Sequence, residues 1–216
     1  MEPLVISGKD LKVDDVVDVA RGRKVALDTA VLPAVNRSRE AVEKLVREGQ
    51  IAYGITTGFG RFKDKFISAD ESMQLQLNLV RSHAAGTGPI LPENQVRAML
   101  LARANTLAQG YSGVRPVVIQ TLLDMLNAGV HPRVPAQGSL GASGDLAPLA
   151  HLTLPLIGEG EAFFQGTLLP GREAMTAAGI QPLVLQAKEG LALLNGTAFM
   201  VGLGAIIVRR AINLAL

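Results

Sequence analysis

Four groups of residues have the types and spacing to do chemistry. Ser143 lies between small residues in Gly141-Ala142-Ser143-Gly144-Asp145, just ahead of a helical stretch. A hydrolase nucleophile elbow requires G-x-S-x-G, and the fifth residue here is Asp145. His151, six residues on, is not the distant partner a catalytic triad recruits. Read alone, the segment is equally a tight turn in which Ser143 or Asp145 caps the next helix. Tyr53 runs into Gly54-Ile-Thr-Thr-Gly58-Phe-Gly60, three glycines in seven residues, which suits no regular element. His83, His131 and His151 are far apart in sequence, without metal-ligand spacing or an HExxH pattern, so no metal is expected. Asn195 interrupts the apolar terminal run as Asn195-Gly196-Thr197. Gly58-Phe-Gly60 lacks the rest of a dinucleotide fingerprint, and no GxxxxGK[ST] loop exists.

The elements that must position these residues are mostly helical. Apolar periodicity predicts helices over 13–20, 32–48, 71–85, 92–108, 116–128, 145–157 and 172–178, and from 188 to the end with a break at Asn195–Gly196. Short extended pieces are expected at Leu4–Ser7 and Ile51–Tyr53, and a hairpin over Glu161–Leu169 turning at Gln165–Gly166. From His131 to Gly144 two prolines and glycines at 138, 141 and 144 predict a structured loop. The expected fold class is mainly α with a few short strands.

Composition narrows the function classes. The 216 residues suffice for a self-supporting core, and no cysteine is present to staple it or to ligate metal. A net charge of +2 gives no footprint for nucleic acid. The start, MEPLVISGKD, carries Glu2 and no long apolar run, so a signal peptide is not expected and the protein reads as cytoplasmic. Residues 191–216 are 18 of 26 hydrophobic, yet Asn195, Gly196, Thr197, Gly202 and Gly204 interrupt them and Arg209–Arg210 follow. This fits a helix buried in a protein interior or oligomer better than a membrane span, which needs about 20 nearly unbroken apolar residues. The pattern stops at Leu216 without a cap, as a piece of a larger protein would. Such a piece is expected to self-associate through Phe199–Leu216 and to be inactive by itself.

Gly138 to His151, GSLGASGDLAPLAH, closely resembles the signature of the aromatic amino-acid ammonia-lyase and aminomutase family. Three further segments resemble that family in the same order: 52–60 its tyrosine loop, 78–86 its selectivity segment, and 188–197 the stretch carrying an active-site asparagine. The resemblance covers nearly the whole chain. It implies the N-terminal part of the ammonia-lyase fold, with an N-terminal domain over 1–190 and the start of a long central helical bundle over 191–216. It also implies a methylidene-imidazolone (MIO) formed autocatalytically from Ala142, Ser143 and Gly144, with no external cofactor. Ring closure needs the Gly144 nitrogen to reach the Ala142 carbonyl, and residues this small permit the approach; Ser143 then loses its hydroxyl as water.

By the same resemblance Tyr53 is the catalytic base, although a tyrosine's ordinary pKa of about 10 would have to be lowered. Asn195 contacts substrate or cofactor, and His83 recognises the substrate ring. The Ser82–His83 pair resembles the version found in histidine-specific members, implying elimination of ammonia from L-histidine to give trans-urocanate. Tyrosine- or phenylalanine-specific lyases or aminomutases remain the alternative within the family, and a non-catalytic assembly module the alternative outside it. The implied partners are a small amino-acid substrate and other copies of the chain in a homotetramer, with no nucleic acid and no membrane.

Overall fold

The structure, a computed structural model, describes residues 2–52, 54–57, 69–140 and 144–215. It is mainly α, as expected, and its centre is helix α4 (Glu93–Ala108). Every side chain from Val96 to Ala104 in α4 is buried, as are Leu107 and Ala108. A helix that carries apolar residues on every face is enclosed by neighbours on every face. Helices α1 (Val13–Ala20), α5 (Pro116–Ala128) and α9 (Ala198–Ala215) pack around it, with α2 (Leu32–Arg47) beyond. α9 crosses closely at Gly202, where a Cβ would lie 3.0 Å from the Ala98 carbonyl carbon.

A second group of helices carries the segments that hold the candidate site residues. Helices α3 (Ala69–His83), α6 (Leu146–Thr153) and α8 (Glu189–Leu194) pack against one another. α8 is fixed at its start by Glu189, fully buried on the core side. Its carboxylate accepts from Arg115 Nε (2.8 Å), Arg115 NH2 (2.8 Å) and the backbone N–H groups of Arg115 (3.1 Å) and Gln186 (2.8 Å). Arg39 of α2 reaches the same place, donating to the carbonyl oxygen of Ala187 at 3.0 Å. Four N–H donors explain how a carboxylate is held in a buried position.

The strands are short. β1 (Leu4–Ile6) runs parallel to β2 (Val25–Leu27), with α1 as the crossover. Beyond β2, the Asn127 side chain acts as one more strand residue: Val25 N–H donates to its Oδ1 at 2.9 Å and its Nδ2 donates back to Val25 O at 2.8 Å. β3 (Thr87–Ile90) pairs antiparallel with β5 (Pro135–Gln137). β4 (Val130–Pro132), β6 (Glu161–Phe164) and β7 (Thr167–Pro170) make an antiparallel sheet, and a short helix α7 (Gly171–Ala177) follows. The β6–β7 hairpin turns at Gln165–Gly166, where the sequence places it.

Three expectations are corrected. The 131–144 stretch is not loop throughout, because β4 and β5 lie at its start and pair with segments remote in sequence. The helix expected to reach Ile157 ends at Thr153, and a 3-10 turn follows over Pro155–Ile157. Pro155 has no N–H to continue the ladder. Ile51 and Ala52 form no strand; the Ala52 N–H donates to Thr56 Oγ1 at 2.9 Å within a turn.

By length and composition α9 could cross a membrane. Here Ala198, Phe199, Gly202 and Ile206 face the core, while Val201, Ile207, Val208, Ile212 and Leu214 are exposed. Burial on all sides is therefore not achieved within the described residues.

Candidate active site

Three loops converge at the N-terminus of α6. The first follows α3 and contains His83 to Gly86. The second is the signature segment ahead of α6, and the third is the break between α8 and α9 at Asn195–Gly196–Thr197. Gly144 and Gly196 pair as an isolated parallel β-bridge, which sets the last residue of the Ala-Ser-Gly triplet beside the residue after Asn195. A Cβ on Gly138 would meet Gly86 Cα at 3.2 Å, and His151 Nε2 accepts from Gly86 N–H at 3.0 Å. The signature segment is thus gripped at both ends by the segment containing His83.

Around the triplet the loop is closed tightly. Leu140 N–H donates to Gly144 O at 2.7 Å, and the Ser139 hydroxyl lies 3.0 Å from the same oxygen. Gly144 has φ +74, a conformation that favours glycine, and a Cβ there would sit 2.6 Å from Met200 Cε, which would have to move. Asp145 is fully buried. It does not cap α6 with its side chain, as the turn reading allowed; Oδ1 takes the Ser139 hydroxyl at 2.9 Å and Oδ2 takes Met200 N–H at 3.0 Å. A capping bond to its own helix is local, whereas this carboxylate ties the signature loop to the first turn of α9. Tyr53, Ala142 and Ser143 lie outside the described residues.

His83 ends α3 and is half-buried. Its Nδ1 is 2.9 Å from Leu79 O, which can only accept, so Nδ1 carries a proton and Nε2 is left for another partner. Ser82 helps to hold the ring, with its hydroxyl 3.1 Å from Nδ1. Asn195 is the residue ending α8 and is exposed. It lines a cleft of about 600 Å³ together with Lys9, Asp10, Arg103, Asn105 and Thr197. Burial and the charge of Arg133 hold the His151 imidazole below its ordinary pKa, consistent with an Nε2 that accepts.

Sequence reasoning did not single out Arg103, Ser139 or Gly196. For Arg103 a signal was present: an arginine in a helix whose neighbours at 98–102 and 107–108 are apolar. Ser139 carries no such mark and Gly196 shows only as part of the helix break; their roles come from what folds onto them.

A family profile described as aromatic amino acid lyase matches residues 11–216. The histidine ammonia-lyase of Gloeobacter violaceus is 59% identical over 213 residues, 98% of this chain and 41% of that protein. Among solved structures, a tyrosine aminomutase from Streptomyces globisporus superposes with a TM-score of 0.90 at 40% identity, covering 97% of this chain and 40% of that one. A histidine ammonia-lyase from Trypanosoma cruzi gives 0.89 at 36% identity, with coverage of 97% and 40%. The chain spans about two-fifths of the length of the curated relatives it matches. With the profile spanning nearly all of the sequence and the fold matching from end to end, the chain belongs to the aromatic amino acid lyase family.

Proposed function

We propose that the protein carrying this chain eliminates ammonia from L-histidine to give trans-urocanate, using an MIO group made from Ala142, Ser143 and Gly144. The observation that supports it most is the Gly144–Gly196 bridge, which sets the triplet's last residue next to Asn195 within a loop closed by Leu140 and Gly144. The described surroundings fit such a group: a glycine at positive φ, its carbonyl accepting from Leu140 N–H, and a buried carboxylate bracing the loop through Ser139. When formed, MIO supplies an electron-poor methylene for the substrate's amino group.

The chain's own residues account for the remaining steps. Tyr53 takes the proton from Cβ, and the electron pair of that C–H bond becomes the double bond as the Cα–N bond breaks. Asn195, exposed in its cleft, orients the substrate by hydrogen bonds through its amide. His83 offers Nε2 to the N–H of the substrate imidazole, a polar match that an apolar wall would lack. Residues 1–190 form the MIO-bearing domain and 191–216 begin the central bundle. The apolar outer face of α9 meets other parts of a cytoplasmic homotetramer.

A second reading, a tyrosine aminomutase, has the superposition at a TM-score of 0.90 in its favour. Two measurements on the full-length protein test both. The peptide spanning 138–151 should lack the mass of two waters, one lost on cyclisation and one from Ser143. Turnover should favour histidine over tyrosine and phenylalanine. A full-mass peptide would leave a non-catalytic module, and a β-amino acid product from tyrosine would make it an aminomutase.

A further inference from the structure

Arg103 is a costly residue in its position. It projects from the buried helix α4, is 2% exposed, and no carboxylate of the described residues acts on it. Burial alone lowers its pKa to about 10, so the guanidinium stays charged at neutral pH. Its Nε has no hydrogen-bond partner among the described residues. Its NH2 donates to the carbonyl oxygen of Ala192, in the last turn of α8, where the negative end of the helix dipole offers a partial counter-charge. Its NH1 lies against Gly196 so closely that a Cβ there would collide with it.

The contrast is Arg97, six residues earlier on the same helix. Arg97 gives Nε to Val19 O at 2.7 Å and NH1 to Leu126 O at 3.0 Å, joining α1 and α5. That is how a buried arginine serves a fold. An apolar side chain of similar length in place of an unpaired buried cation is usually neutral or stabilising. Stability therefore does not explain Arg103, and among the described residues its hydrogen bond and its closest approach fall between Ala192 and Gly196, next to Asn195 and bridged to Gly144.

We infer that Arg103 is a positioning residue of the active site, holding the Asn195–Gly196 segment in register with Gly144. This rests on the roles proposed above for Asn195 and Gly144. The guanidinium fixes the end of α8 and backs the Gly196 peptide, so that the bridge to Gly144 forms with Asn195 turned to the cleft. A displacement of about 1 Å in such a segment is enough to cost on the order of 10²-fold in rate.

The test separates holding the site from holding the fold. In the full-length protein, Arg103→Met should melt at or above the wild-type temperature. Its amide hydrogen exchange should quicken by at least about tenfold in peptides covering both 192–201 and 138–146, with kcat lower by on the order of 10²-fold. Arg103→Lys, which keeps a cation and a donor for the Ala192 carbonyl, should recover part of the protection. Gly196→Ala approaches the contact from the other side: it should loosen the same two peptides, and Arg103→Lys should suppress it, because lysine has no atom at the NH1 position. Unchanged exchange in Arg103→Met, or a melting temperature that falls in step with activity, overturns the inference; if Arg103→Met does not fold, an inert Gly196→Ala overturns it. A wild-type protein without the two-water loss or any turnover would sink the lyase reading, and the exchange data would still decide the role of Arg103.

Discussion

Gly86 donates its backbone N–H to Nε2 of His151 at 3.0 Å, joining the end of the α3 loop to the helix that follows the signature segment. Only an imidazole unprotonated at Nε2 can accept that bond, and burial, with Arg133 adding to it, keeps the His151 pKa below its ordinary 6.5. Above that value native and unfolded chains are both neutral here and the contribution to stability is complete. As pH falls below about 6.5 the unfolded chain takes up a proton that the native one does not, so stability declines until the native pKa is passed. His131, lowered mainly by its own burial, acts in the same direction. Urea midpoints should therefore drop between about pH 7.5 and 5. His151→Gln, an acceptor that does not titrate, should flatten that slope in part, and an identical slope would remove His151 from the account.

Gly144→Ala should destabilise the protein by about 1–3 kcal/mol, the range for a non-glycine residue held at positive φ. Met200 Cε must also move, since the new methyl would sit 2.6 Å from it. Thermal melts give the size, and Met200→Ala in the same chain should recover the steric part alone.

Glu189→Gln removes one charge from a buried network while leaving its shape. Arg115 and Arg39 would then face a neutral amide. Loss of one partner of a buried pair costs about 3–5 kcal/mol, and denaturant unfolding should show a loss towards the lower end, since the amide oxygen still accepts. A variant as stable as wild type would mean the network is solvated in solution.

Tyr53→Phe removes one hydroxyl and almost no volume. The two-water mass loss at 138–151 should persist while kcat falls by on the order of 10²–10⁴, the range for a lost general base. A kcat near wild type would move the base elsewhere.

His83→Leu deletes the Nε2 acceptor that Leu79 and Ser82 leave pointing to a partner. The ratio of kcat/KM for histidine to that for phenylalanine should fall, because an apolar wall no longer favours a polar ring. A constant ratio would make His83 a packing residue.

Much of this protein is readable without coordinates, where the determining interactions are local. Helices at 13–20 and 116–128 follow from apolar spacing, with Pro116 at the start and Gly129 at φ +80 at the end of the latter. The break at Asn195–Gly196 and the hairpin turn at Gln165–Gly166 are likewise written in residues that resist regular structure. The Gly138–His151 segment pointed to the family because its run of small residues around Ser143 matches the family's signature. Pairings between distant segments could not be read in the same way. β4 and β5 exist only because β6 and β3 lie beside them. Asp145 looks like a helix cap in sequence, yet its carboxylate is taken by Ser139 and by Met200, 55 residues on. Arg103 shows in sequence only as an arginine among apolar neighbours, and what it holds appears only when α8 ends against it. Each of these depends on which backbone group another part of the chain leaves unsatisfied, and that is decided only when the helices pack.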